Sequence, residues 1–443
     1  GLEILKQNPE LIEKISPNSM NSIAPSGPAA GQSASFWLAA TQVGRKILKQ
    51  RSELIEKISA DTLNHVIQSG LFAGQSALFW LAATSGGREF LKQNPELIKK
   101  ISPEALNHVI QHGERSGKSA LFHLAGTLDG KEILKQNPEL IKKISPEALN
   151  HVIQDGENVG QSALLWLAVT LDGKEILKQN PELIKKISPE ALNHVIQHGE
   201  KSGTSVLFFL AGTLDGKEIL KQNPELIKKI SPAALNYVIQ SGPFAGKSAL
   251  FCLAWTRDGK EILKQNPELI KKISPEALNH VIQHGEKSGT SALFSLARTP
   301  EGTEILYHHL IQKIDLDVLD AKFKGESIRD NLAKCTKYGV KILAALAGDT
   351  QTSIFSENLA DRTPMERDCA KGNSQPNAKK LKVNCNSDSN KKSVTSHTPR
   401  TQPTSKRNRT SAPDDEHCQQ NQSKTRKIDN HGDSHNKSTL LKK

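Results

Sequence analysis

Long apolar runs, strand-like alternation and paired cysteines are all missing from this sequence, and each absence closes off a class. No apolar stretch approaches the ~20 residues that cross a bilayer, so no membrane insertion is expected. Nothing alternates with a period of two, which argues against a sheet-based fold. Cys252, Cys335, Cys369, Cys385 and Cys418 are odd in number and scattered. That fits a reducing compartment and neither a disulfide framework nor a zinc site. No Cys–His pair, Ser–His–Asp set or carboxylate dyad stands outside the repeated pattern, so no enzyme, cofactor or metal is expected. No secretory leader is visible, and the chain opens on Gly1 rather than Met, which reads as a fragment or trimmed product. Net positive charge is also scarce over most of the length. Residues 371–443 carry 16 Lys and Arg against six Asp and Glu, a net of +10, out of +12 for the whole chain. Residues 1–370 are left with about +2.

What fills the chain is repetition. "LKQNPELI" or a close copy places its lysine at Lys6, Lys49, Lys92, Lys135, Lys178, Lys221 and Lys264, always 43 residues apart. A glycine sits five residues before each, from Gly1 to Gly259, and the phase continues to Gly302. One copy divides into helical pieces. "SPEALNHVIQHG" starts with Ser102 as N-cap and Pro103 at the first helical position. Leu106, Val109 and Ile110 follow at helical spacing, and Gly113 is the expected stop. "SALFHLAGT" is a second helix capped by Ser119, with Leu121, Leu124 and Ala125 apolar. "DGKEILKQNPELIKKI" is a third, interrupted at Pro138, with Ile133, Leu134, Leu140, Ile141 and Ile144 as core candidates. Pieces this short are unstable alone in water. They must be stacked, so the predicted fold is all-α: an α-solenoid of seven 43-residue helical repeats over residues 1–305. Residues 306–349 diverge and read as a helical C-terminal cap, and 350–443 as a disordered basic tail.

"HGERSGKSA", from His112 to Ala120, looks like a phosphate-binding loop, but only three residues separate Gly113 from Gly117 where four are required. The position of Lys118 is Gln32, Gln75, Gln161, Thr204, Lys247 or Thr290 in other copies, so no nucleotide loop is expected.

"GQSALFWLAATSGGREFL", Gly74 to Leu91, resembles the ankyrin consensus, with Gly74, Ser76, Leu78, Ala82, Ala83 and Gly87 at or within one residue of matching places. It departs from that family in its 43-residue period and in lacking the β-turn finger signature. Nearly identical arrays of this ankyrin-like kind resemble those of type IV-secreted effectors of intracellular bacteria. The resemblance implies binding of a host protein by a secreted chain acting in the host cytoplasm or nucleus. A second resemblance is to the TAL-effector repeat, carried by "SPEALNHVIQHGEKSGTSALF", Ser274 to Phe294. It implies nucleic acid as the alternative partner. Base-reading residues would then be Ser69, His112, Asp155, His198, Ser241 and His284, each followed by glycine. The near-neutral array weighs against this, because DNA affinity comes largely from neutralised phosphates.

Positions that differ between near-identical copies carry the most information. In "SALFxLAx" they are Trp37, Trp80, His123, Trp166, Phe209, Cys252 and Ser295, then Ala40, Ala83, Gly126, Val169, Gly212, Trp255 and Arg298. Being i,i+3, they share a helix face. The partner-binding candidates are therefore Trp37, Trp80, His123, Trp166, Phe209, Trp255 and Arg298. Packing between repeats, with size compensation inside each pair, is the other reading of the same stripe. An Asn row, from Asn21 to Asn279, resembles the ladder with which armadillo repeats hold a peptide backbone; bonding between repeats or plain exposure is the other reading. The histidines beside it, such as His108 and His151, read as a solvated row. Lys135, Glu139 and Lys142 read as a solvated face with i,i+4 pairs.

The tail carries address-like clusters. "PNAKKLKV" contains Lys379, Lys380 and Lys382, and Lys391 and Lys392 precede "KRNR" with Lys406, Arg407 and Arg409. They resemble nuclear-import signals read by an importin-type receptor. Leu440 and Leu441, with an acidic run at 414–416 upstream, resemble a C-terminal secretion signal. A fluorescent fusion should enter the nucleus, and the same fusion with Lys379, Lys380, Lys382, Lys406, Arg407 and Arg409 changed to Ala should stay out. A variant that remains nuclear refutes the import assignment.

Overall fold

The computed structural model describes residues 4–348, apart from 5–6, 9, 52 and 336. The import clusters and the Leu440–Leu441 end lie outside the described residues. Helices follow one another in tandem, and each packs against its counterpart in the next unit. The array is a helical solenoid. Counting units from the serine that opens each, Ser102 to Ile144 is the third of seven. Its helices are Pro103–Asn107, Ala120–Gly126, Leu128–Gln136 and Pro138–Lys142.

Three of these four starts are set by side-chain caps. Ser102 Oγ accepts from Ala105 N–H, Ser119 Oγ from Phe122 N–H and Thr127 Oγ1 from Gly130 N–H. Asn137 differs: its Nδ2 donates back to Ile133 O, and Pro138 supplies the pre-set φ that restarts the chain. The predicted core residues Leu121, Leu124, Ile133, Leu134, Leu140, Ile141 and Ile144 are all buried, in one cluster running the length of the array.

The third helix crosses the second at very short range, and the repeated glycine is the reason. A Cβ on Gly130 would lie 2.2 Å from Leu124 O, and one on Gly173 2.3 Å from Leu167 O. No side chain fits there. The partner across this crossing is also charged. Arg45 and Arg88 donate to Ala39 O and Ala82 O, and Lys131 Nζ to Ala125 O, so a buried cation caps the C-terminal carbonyls of the second helix.

Units are tied together by the Asn row. Asn107 Nδ2 donates to Lys143 O at the end of its own unit at 2.7 Å, and Asn107 Oδ1 accepts from Ser145 N–H of the next unit at 2.9 Å. In return Lys143 Nζ donates to Ile101 O at 2.6 Å. The same three bonds recur from Asn21 to Asn279. Of the readings of this row, bonding between repeats is what the structure contains. A second ladder runs on the surface. Lys49, Lys92, Lys135, Lys178, Lys221 and Lys264 each meet a glutamate 40 residues on. This corrects the expected pairing within a copy: Lys135 reaches Glu175 of the next unit, and only Lys142 and Glu139 pair locally, at i,i+3.

After Ile305 the pattern loosens. A π-turn at Leu306–Leu310 and 3-10 turns at Ile311–Lys313 and Leu316–Val318 replace the Asn-Pro restart. A two-residue hairpin follows, Lys322–Phe323 with Glu326–Ser327, turned by Lys324 and Gly325 at positive φ. Helices Ile328–Lys334 and Gly339–Leu346 close the described chain. A Cβ on Gly339 would meet Leu332 O, so this last pair repeats the glycine crossing of the array.

Three substitutions separate these terms. Asn150→Ala strands Lys186 O and Ser188 N–H at an inter-unit contact and should cost about 2 kcal/mol. Gly173→Ala forces the crossing apart and should cost about 2 kcal/mol despite alanine's better helix propensity. Lys142→Ala breaks only an exposed pair and should change stability by under about 0.5 kcal/mol. Urea unfolding of the three variants gives the ranking.

Candidate functional site: the finger row and the seams behind it

The first helix ends at Asn107, short of the expected stop at Gly113. His108 is already extended, at φ −60° and ψ 118°. Residues 108–118 form a finger instead. Ile110 N–H donates to Lys118 O and Gly117 N–H to Ile110 O, so two residues on one side face one on the other. Gly117 at φ +78° is the left-handed residue this bulge requires. The tip turns at Gly113, φ +87°, closed by Ser116 N–H on Gly113 O. The β-turn finger signature is missing from the sequence, yet a finger is what the chain forms here. It was hidden because a bulged finger made of Val, Ile and Gly looks, at helical spacing, like the end of a helix.

Every unit carries such a finger, and the tips form a row. Ser69, His112, Asp155, His198, Ser241 and His284 are all exposed there, as are the glycines after them. A Cβ on any of those glycines would meet nothing within 4 Å. The tips differ between units, and so do their charges. The third finger has Glu114, Arg115 and Lys118, and the fourth Asp155 and Glu157. Over the seven fingers the acidic and basic side chains cancel.

The tryptophan stripe lies behind the fingers, in the seams between units. The ring of Trp37 stands edge-on to Phe72, with centroids 5.4 Å apart, and Phe209 to Phe244 at 6.1 Å. Arg115 covers Trp80 at 4.6 Å, Lys201 covers Trp166 at 4.6 Å and Lys287 covers Trp255 at 3.8 Å. In each case the finger of one unit closes over the stripe residue of the unit before it. Size compensation also crosses the seam rather than staying within a helix: a Cβ on Gly126 would lie 3.7 Å from the Trp166 ring, and one on Gly212 3.8 Å from Cys252 Sγ. Phe209, Cys252 and Ser295 are buried, Trp80, His123, Trp166 and Trp255 half-buried, and Trp37 and Arg298 exposed. The covering finger residues were missed in the sequence. An aromatic on the stripe matched by an aromatic or a cation 35 residues later, as in Trp37/Phe72, Trp80/Arg115 and Trp166/Lys201, is the signal that could have found them.

The electrostatics of the seams are set by desolvation. Burial holds Lys131, Lys174 and Lys260 down to about 8. Burial pushes His123 down to about 3, helped by the positive charges of Lys118, Arg115 and Arg88. His108, His151, His194 and His280 are lowered by burial as well. These histidines are half-buried rather than the solvated row expected, and at His108 and His194 the preceding finger lies against the ring: a Cβ on Gly74 would lie 3.4 Å from His108 Nε2, and one on Gly160 3.5 Å from His194 Nε2. Among the described residues no three His, Cys, Asp or Glu side chains converge as metal ligands, and no helix is long and apolar enough to cross a membrane. No protein-family model matches the chain, and no curated protein matches it.

The depressed histidines make a definite acid limb. An unfolded His binds a proton near pH 6.5, whereas folded His123 refuses one until about pH 3. The unfolded chain therefore holds more protons in that window, and stability falls as pH drops from 6.5 toward 3. His123→Trp, the residue carried by the first, second and fourth units, should lose less Tm than the parent between pH 7 and 4.5. An unchanged difference in Tm would mean that His123 titrates normally.

Proposed function

We propose that the chain is a non-enzymatic repeat scaffold that binds a macromolecular partner, a host protein, along its row of finger tips. One observation carries this reading: near-identical units differ at tips that are exposed in every one of them. A scaffold that only had to stack would have no use for tips that vary among serine, histidine and aspartate. The ankyrin-like stretch and the tandem near-identity support delivery of the chain as a translocated bacterial effector. The basic tail clusters support carriage to the host nucleus by an importin-type receptor.

The charge balance of the tips favours protein over nucleic acid, since no positive stripe is there to displace counterions. Spacing points the same way. Layers of a helical solenoid lie roughly 10 Å apart, about three residues of an extended peptide at ~3.3 Å each and three times the rise per base of one DNA strand. The second reading, a TAL-like reader of DNA, is favoured by one feature: the variable residue at each tip, Ser69, His112, Asp155, His198, Ser241 or His284, is exposed and precedes a glycine.

Capture from host lysate by the full chain, with and without nuclease, separates the two. Under the protein reading the captured partner survives nuclease and is lost from a variant with His112, His198 and His284 changed to Ala. Each tip on a hot spot should then weaken binding by about 1–2 kcal/mol. Capture that disappears with nuclease, or binding whose logarithm falls with salt at about −0.9 per phosphate, would favour DNA.

A further inference from the structure

The seam between the second and third units differs from the other seams. Its stripe residue in the third unit is His123, where the neighbouring units have Trp80 and Trp166. His123 packs edge-on to Phe79 at 5.1 Å, and its Nε2 is buried without a hydrogen-bond partner. Trp80 Nε1, across the same seam, is likewise buried without one. Three cations stand close to His123, and one of them also to Trp80. Arg88 comes from the third helix of the second unit, and Arg115 and Lys118 from the third finger, with the Arg115 guanidinium over the Trp80 ring. All three act on His123 as positive charges, while Glu157, of the next finger, acts on Lys118. No other finger combines these groups: the position of Arg115 is Phe72, Asn158 or Phe244 in the second, fourth and sixth units, and the fifth and seventh have Thr204 and Thr290 in place of Lys118.

Buried polar atoms without partners are costly, and clustered positive charge in a partly dry seam is costly too. One ligand offsets both. A tetrahedral dianion offers acceptors to the indole and imidazole nitrogens and a charge that matches the cations. A carboxylate, with a single charge and a planar pair of oxygens, matches less well. We propose that the seam between the second and third units is a binding site for a phosphate monoester, held by Arg115 and Lys118 at the mouth and by Trp80 Nε1 and His123 Nε2 behind them. The bound anion favours a proton on His123, which makes that nitrogen a donor. The monoester is either free phosphate or a phosphorylated side chain of a partner protein, and only the second source rests on the protein-binding reading above.

The full chain is titrated with orthophosphate, with a phosphoserine peptide and with the same peptide unphosphorylated, following histidine imidazole signals by NMR. The His123 signal is the one missing from His123→Trp. Phosphate should move it toward the protonated position, whereas phosphate taken up by the basic tail leaves it in place. Lys118→Gln and Arg115→Phe should each weaken binding at least roughly tenfold. Both install residues that other units carry, so both should fold. Lys201→Ala, in the seam of Trp166, should change nothing. Tighter binding of the phosphopeptide than of phosphate assigns the source to a partner protein, and equal binding assigns it to the free anion. The proposal is overturned if orthophosphate leaves His123 unmoved, if Lys118→Gln and Arg115→Phe bind as the parent does, or if a DNA diester binds His123 in preference to the monoesters. The phosphate titration does not depend on the lysate capture, so either can fail without the other.

Discussion

One amide side chain per unit sets the geometry of this protein. The first helix has only five residues, Pro103–Asn107 in the third unit, and cannot persist alone. Asn107 closes it by donating to Pro103 O and at the same time engages Lys143 O at the end of its own unit and Ser145 N–H at the start of the next. Those are a carbonyl and an amide that would otherwise be left unpaired at the break between one unit's last helix and the next unit's first. Lys143 returns the bond to Ile101 O. Each unit is therefore completed by its successor, and the stack propagates because no unit is whole without its neighbour. At the C-terminal end Lys313 and Asp315 still supply the partners for Asn279, although the helices around them have given way to tighter turns.

With the register set this way, the fingers close over the seams. A finger projecting from one unit covers the second helix of the unit before it, so whatever stands on that helix must match the finger. Phe72 meets Trp37, Phe244 meets Phe209, and cations meet Trp80, Trp166 and Trp255. The variation along the stripe is thus largely accounted for by packing across seams. The tips have no such constraint, and variation there is open to use by a partner. Unsatisfied nitrogens remain beside positive charge at Trp80 and His123, between the second and third units, and at Trp166 beneath Lys201.

The 43-residue step, the serine and proline helix starts and the apolar spacing of the second and third helices were legible in the amino-acid sequence, because each is a local property of a few residues repeated many times. Core residues such as Leu124, Ile133 and Leu140 followed from spacing alone. The finger was not legible. Val109 and Ile110 have the same spacing whether they continue a helix or start a bulged turn, and what decides is that Asn107 spends its side chain on the next unit. The partners of Lys135 and Trp80 were hidden for the same reason. They lie 40 and 35 residues away, and only stacking brings them into contact. Sequence by itself determined that the chain is a helical array and where its serine-capped helices begin, since capping and periodicity act within one turn. Tertiary structure decided which variable residues are enclosed and which are presented, since burial here depends on a neighbouring unit that the local sequence does not contain.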